Sequence, residues 1–215
     1  MKIEIWSDVV CPWCYIGKRR LERALTEFEH ADQVAIAWRS FQLNPEAPRG
    51  EAVPTGEYLA RRFGPQAAQM TARVAEIAKG EGLEFDTSRA LSVNTLDAHR
   101  LLHLAADLGM ADAAKERLLH AHFMEGADLS DPDTLVALMQ EAGADPDRAR
   151  GVLDGDDYSG DVLSDISEAQ ALGATGVPFF VIDRKYGISG AQPAETFLQA
   201  LRAAWTEDST ATASA

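Results

Sequence analysis

Two cysteines, Cys11 and Cys14, are the only thiols in this 215-residue chain, and they lie three residues apart in the stretch SDVVCPWCYIGKRRL. A Cys-x-x-Cys pair suits thiol–disulfide exchange, in which one thiolate attacks and the other displaces the captured group. As a structural staple the pair would do little, because bridging such near neighbours barely constrains the unfolded chain. Pro12 suits the first turn of a helix, so Cys11 is predicted as its N-cap. Its sulfur would then face the free N–H groups of Trp13 and Cys14 at the positive end of the helix. A helix terminus supplies at most ~2 kcal/mol, so direct N–H contacts must add to it. Trp13 is uncharged and contributes no cationic partner. The residues thus predict a nucleophilic Cys11 and, one turn along and less exposed, a resolving Cys14.

Metal binding fits poorly. Zinc needs four ligands, and there is no third cysteine. His99 with His103 (HRLLH) and His120 with His122 (HAHF) are the histidine pairs available. The first lacks the glutamate of a HExxH site, and both lie in apolar helical surroundings. No metal is expected.

The elements around the pair follow from periodicity. Residues 2–6 (KIEIW) alternate as a short strand with Ile3 and Ile5 on one side. Residues 15–28 place Ile16, Leu21, Leu25 and Phe28 on one stripe of a helix, and residues 34–43 (VAIAWRSFQL) read as a second strand. Strand, helix, strand over this length is a βαβ unit with parallel pairing. Residues 56–155 carry helix after helix and no strand signal, with Gly64-Pro65 as a break. Asp131-Pro132 and Asp145-Pro146 each read as an N-cap followed by a first-turn proline. A helix over 157–172, a hairpin of 178–182 with 186–189, and a helix over 193–205 complete the chain. The expectation is a discontinuous α/β domain, 1–55 and 156–205, an inserted all-helical block, 56–155, and a disordered tail, 206–215.

With 34 acidic against 20 basic residues the formal charge is −14. Nucleic acid and anionic membrane surfaces, which need basic patches, are therefore not expected partners. The first residues lack the apolar run of a signal peptide, and no stretch approaches the roughly 18 apolar residues of a membrane span. A cytoplasmic setting is expected, where a lone cysteine pair is more often catalytic or metal-binding than structural. His99, Arg100 and Asn94 are polar residues of the helical block that could line a cleft against the cysteines.

These residues resemble the DsbA-like branch of the thioredoxin superfamily. The matching features are Cys11-Pro12-Trp13-Cys14 after the first strand, the helical insertion, and Gly176-Val177-Pro178 opening a later strand. SDVVCPWCYIG, SFQLNP and GVPFFVIDRKYGISGAQP are similar to the cytoplasmic branch named for a frenolicin (polyketide-biosynthesis) member, the FrnE-like proteins. The resemblance implies a thioredoxin fold with a helical insertion, with Cys11 the nucleophile, Cys14 the resolving thiol and Pro178 the cis-proline facing them. Pro12, Trp13, Val177 and Pro178 would then contact substrate, the Val177 backbone pairing with an extended segment. DsbA itself has histidine where this chain has Trp13, so its oxidising power is not carried over. Glu4 either occupies the place of a buried proton-relaying acid or is an exposed strand residue.

The implied function is dithiol–disulfide oxidoreduction on a protein or small-molecule substrate, with no bound cofactor and glutathione as a possible redox partner. Glutathione-dependent isomerases and kappa-like transferases, such as 2-hydroxychromene-2-carboxylate isomerase, use the same fold. They need no resolving thiol, so Cys14 separates the readings. A redox-inert binding or chaperone module would leave function intact without either cysteine. Oligomeric state is open.

Overall fold

The computed structural model describes residues 1–213. Its first strand, β1 (Lys2–Ser7), is buried on both faces beyond Lys2. Helix α1 (Pro12–Thr26) leads to β2 (Ala35–Ser40), which pairs parallel with β1, Ile3 opposite Ile36 and Ile5 opposite Trp38. At the far end of the chain, β5 (Phe179–Ile182) pairs antiparallel with β1 and with β6 (Tyr186–Ser189), giving the order β2-β1-β5-β6. The expected βαβ unit and hairpin are both present, and they share one sheet.

Alternation along β1 explains its two cores. Ile3 and Ile5 pack with Leu21, Phe28, Phe180 and Phe197, under α1 and the last helix, α9 (Ala194–Ala213). Trp6 points the other way, against Phe179 and Val181 and against Ala169 of α8 (Ser159–Ala171). Its indole N–H donates to the Asp165 carbonyl at 2.7 Å, so a large ring is buried without an orphaned donor.

The inserted block contains α2 (Thr55–Phe63), α3 (Ala67–Gly80), α4 (Leu96–Asp107), α5 (Ala111–His120), α6 (Pro132–Glu141) and α7 (Pro146–Asp154). A 3-10 turn at Gly64–Gln66 marks the expected break, and α5 continues into a π-helical turn, Ala121–Glu125. Asp131 accepts from the Thr134 N–H at 2.8 Å and Asp145 from the Asp147 N–H at 2.9 Å, so both proline-flanked caps form. The block has its own core, in which Leu101, Leu104, Leu118 and Leu135 gather, with Val9 reaching in from the segment before the cysteines.

Two expectations are corrected. The block is not wholly free of strand: β3 (Ala52–Pro54) and β4 (Leu91–Val93) form an antiparallel ribbon. Three residues are too few for alternation to register in sequence, and the pairing partner is distant. Nor does order end at residue 205, since α9 continues to Ala213. The end of the chain, residues 206–215, has no glycine or proline to stop a helix and holds three alanines, Ala211, Ala213 and Ala215. Residues 214 and 215 of the expected tail lie outside the described residues.

Candidate active site

Both cysteines are free thiols at the start of α1, 3 % and 2 % exposed. Cys11 is the N-cap, with extended backbone, and Pro12 opens the first turn as expected. The Cys11 carbonyl receives the Cys14 N–H at 3.0 Å. The sulfur, however, makes no capping bond to the Trp13 or Cys14 amide. It donates instead to the Val177 carbonyl at 3.6 Å. A neutral thiol has a proton to donate, and the nearby carbonyl takes it, so the expected N–H···S arrangement is not the one adopted by the thiol.

That carbonyl belongs to the loop before β5, where the Val177–Pro178 peptide bond is cis. The loop is tied to the segment after β6, which α1 holds in turn. Gly190 N–H donates to the Pro178 carbonyl at 2.8 Å, and the Arg20 guanidinium of α1 donates to the Ala191 carbonyl at 2.6 Å. Gly17 permits the close approach of α1: a Cβ there would lie 3.1 Å from Pro178 Cγ and 3.2 Å from Phe180 Cζ. The structure thus brings Cys11, Val177 and Pro178 together. Trp13 stands at the surface beside them, 37 % exposed.

Behind the pair lies a buried polar cluster. Asp8 is fully buried; its carboxylate accepts from the Leu43 N–H at 2.8 Å, and His99 Nε2 lies 3.2 Å from its other oxygen. This bond ties SDVV before the cysteines to SFQLNP after β2, a structural reason for both segments to matter. Burial pushes the Asp8 carboxyl up, but the His99 hydrogen bond and the Leu43 amide outweigh it and hold the group below its ordinary value. Burial also lowers His99, which stays neutral and donates from Nε2 to the carboxylate.

Lys115, from α5, completes the cluster. It is 1 % exposed, its Nζ has no hydrogen-bond partner, and it lies 5.5 Å above the Trp38 ring. Burial lowers it to about 8, against the opposing pull of Cys14, Asp8 and Cys11. Cys14 is driven the other way. Burial raises its thiol well above the ordinary value, the Cys11 sulfur raises it further, and Lys115 only partly offsets them. Cys14 is therefore held protonated. α5 is set against α1 by Tyr15 donating to Glu116 at 2.6 Å and by Lys18 paired with Glu116 at 3.0 Å.

Other sequence candidates fall elsewhere. Glu4 is buried rather than exposed, yet it is no relay: it accepts from Arg39 Nε at 3.1 Å and from Arg184 at 2.9 Å. Burial would raise it, but Arg39 and Arg184 hold it down at about 2. Asn94 caps backbone, accepting from the Leu96 N–H at 2.9 Å and donating to the Ala47 carbonyl at 2.7 Å. Arg100 is consumed by the carbonyls of Asp157 and Gly155 at 2.8 and 2.6 Å. Of those three polar candidates, only His99 joins the site. The histidine pairs do not converge as ligands, and among the described residues no group of three or more His, Cys, Asp or Glu could hold a metal.

A profile of the DSBA-like thioredoxin domain matches residues 2–202. The chain belongs to that family. This DsbA-like protein is 43 % identical to the probable DsbA oxidoreductase SCO1869 of Streptomyces coelicolor, with a TM-score of 0.92 over 96 % of this chain and 91 % of that one. Uncharacterized protein YwbO of Bacillus subtilis is 25 % identical over 204 residues, 93 % of this DsbA-like chain and 94 % of the relative. The cytosolic disulfide reductase DsbM of Pseudomonas aeruginosa, solved with GSH, shares the fold at a TM-score of 0.64 and 20 % identity, over 94 % of this chain and 98 % of that one.

Proposed function

We propose that the chain is a dithiol–disulfide oxidoreductase of the FrnE-like branch, with Cys11 as nucleophile and Cys14 as resolving thiol. The observation that supports this best is the asymmetry of the pair: Cys11 against the Val177 carbonyl, Cys14 buried and held protonated. The Cys11 thiolate attacks one sulfur of a substrate disulfide and expels the other as a thiolate. A thiolate or mixed disulfide at Cys11 has no proton to give Val177, so that carbonyl is released to accept a substrate N–H. Cys14 then attacks the Cys11 sulfur and the second substrate thiol departs with the Cys14 proton. Two electrons pass from the protein dithiol to the substrate disulfide; the reverse sequence oxidises a dithiol. Pro12, Trp13, Val177 and Pro178 make the contact surface.

The cytoplasm is the proposed setting, in line with the cytosolic neighbour, and glutathione the proposed recycling thiol, in line with the GSH in that neighbour's structure. The isomerase reading is weaker because it gives Cys14 no task. Replacing Cys14→Ser should trap substrate on Cys11 as a mixed disulfide visible by intact-mass spectrometry, and Cys11→Ser should trap nothing. If the wild-type chain titrated in a glutathione redox buffer forms no reversible Cys11–Cys14 bridge, the proposal fails.

A further inference from the structure

Beside the cysteine segment the structure forms a cavity of about 260 Å³, open to solvent on one side and walled by Val10, Pro12 and Trp13 near the cysteines and by Leu59, Met70 and Val74 of α2 and α3 opposite. Three of the eight large exposed apolar side chains of the described residues, Trp13, Leu43 and Met70, line it. An apolar patch held open next to a reacting sulfur calls for an occupant.

Its charge pattern identifies the kind. Among the described residues lining it, none is lysine or arginine. The sole lining carboxylate, Asp86, is turned onto its own loop, accepting from Arg89 Nε at 2.6 Å and the Ser88 N–H at 3.1 Å. The other polar side chains of the wall are uncharged, among them Asn44, Thr55 and Tyr58. Two hold buried atoms without a hydrogen-bond partner, Thr55 Oγ1 and Nδ1 of His122, which lies on the π-helical turn and is 2 % exposed. Burial lowers the histidine to about 4, so it is neutral at physiological pH. A π-turn of this kind frequently marks a functional position. An anionic thiol such as glutathione would meet no cation here.

An apolar cavity of about 150 Å³ takes up a benzene ring, so this one has room for a fused pair of rings. We propose that the cavity binds the uncharged aromatic group of a small-molecule disulfide or thiol, holding its sulfur against Cys11. This rests on the redox reading above and supplies its substrate class. Reaction follows the same balance: Cys11 displaces one arylthiolate, and Cys14 releases the second as arylthiol while the pair becomes a disulfide.

The test compares oxidation of the reduced chain by di(2-naphthyl) disulfide and by oxidised glutathione, each rate divided by that of the same disulfide with dithiothreitol. The normalised naphthyl rate should exceed the glutathione rate tenfold or more, and Met70→Glu, at an exposed position, should lower that ratio at least fivefold. Ligand-observed NMR with the Cys11→Ser chain reads binding without redox chemistry: 2-(methylthio)naphthalene should show saturation transfer, and S-methylglutathione none. A ratio near one, a ratio indifferent to Met70→Glu, or a faster normalised reaction with an unfolded disulfide-bonded protein overturns the inference. Bridge formation in redox buffer without binding of the thioether would sink the aromatic pocket alone. Binding of the thioether without bridge formation would sink the redox reading and leave the pocket.

Discussion

An ammonium without a hydrogen-bond partner, sealed beneath two thiols, is costly, and Lys115 carries that cost for the electrostatics of the site. Its folded value of about 8 lies below the 10.5 of a free lysine. The unfolded chain therefore holds more protons between those values, and stability rises with pH through that window. At 1.36 kcal/mol per unit, the depressed value corresponds to a penalty of about 3 kcal/mol below pH 8, relieved on approaching 10.5. Lys115→Met should accordingly stabilise the chain by up to that amount at pH 7 in urea unfolding, the advantage shrinking toward pH 10.5. The same variant should slow the resolving step, because the positive charge that partly offsets the raised Cys14 thiol is gone; quenched-flow trapping of the mixed disulfide would show it accumulating. The cysteines themselves were legible because spacing and Pro12 announce them. Lys115 was not: in ADAAKERLLH it reads as one more solvated lysine, and only the docking of α5 onto α1 buries it. Asp8 was hidden for the same reason, since tertiary burial leaves no mark on local spacing, whereas His122 was visible as a histidine in apolar helical surroundings but not as part of a cavity wall.

At the scale of elements, α1 must approach the loop before β5 closely enough for Cys11 to meet Val177, and Gly17 sets that distance. Alanine there would gain about 1 kcal/mol of helix propensity but would press on the Pro178 ring and the buried Phe180, where overpacking costs about 1–3 kcal/mol. Gly17→Ala should therefore lower stability by about 1 kcal/mol and slow disulfide exchange at Cys11, both measurable on one preparation by thermal unfolding and by reaction with a chromogenic disulfide. Glu4 joins three parts of the sheet, pinned by Arg39 of β2 and by Arg184 in the β5–β6 turn. Its folded value of about 2 lies below the ordinary 4.5, so its contribution is complete above pH 4.5 and is lost as pH falls through 2. Allowing for solvent screening around the half-exposed Arg184, Glu4→Gln should cost about 2 kcal/mol at pH 7 and almost nothing near pH 2. Urea midpoints across that range decide it. The strands and long helices were legible from their periods; the β3–β4 ribbon, at three residues a side, was below what a period can reveal.

Over the whole molecule the charge of −14 acts at a distance on any anionic reactant. Oxidised glutathione, itself negative, is repelled, and the repulsion is screened within a Debye length of about 10 Å at 0.1 M salt. Its rate of reaction should rise about twofold or more between 20 and 200 mM NaCl, while that of an uncharged disulfide stays level; stopped-flow traces at the two salts distinguish them. The order of the halves, the sheet split by an insertion, was readable along the chain because each half keeps its own pattern of strand and helix. The cavity was not readable, since its walls come from residues 10–13, 43–93 and 122–123, which no local pattern joins.

Because Ala52–Pro54 runs beside Leu91–Val93, the polypeptide departs from the body and rejoins it at one point. The excursion between them, residues 55–90, supplies much of the wall of the cavity that Val10, Pro12 and Trp13 line on the other side, yet contains neither cysteine. Its later part is fastened to the cysteine helix, Ala78 and Leu83 packing with Tyr15 and Ile16 and Glu81 pairing with Arg20 and Arg23. An exchange confined to the excursion's first helix would therefore reshape the cavity alone, whereas one that reaches residues 74–85 would also disturb the helix that carries the thiols.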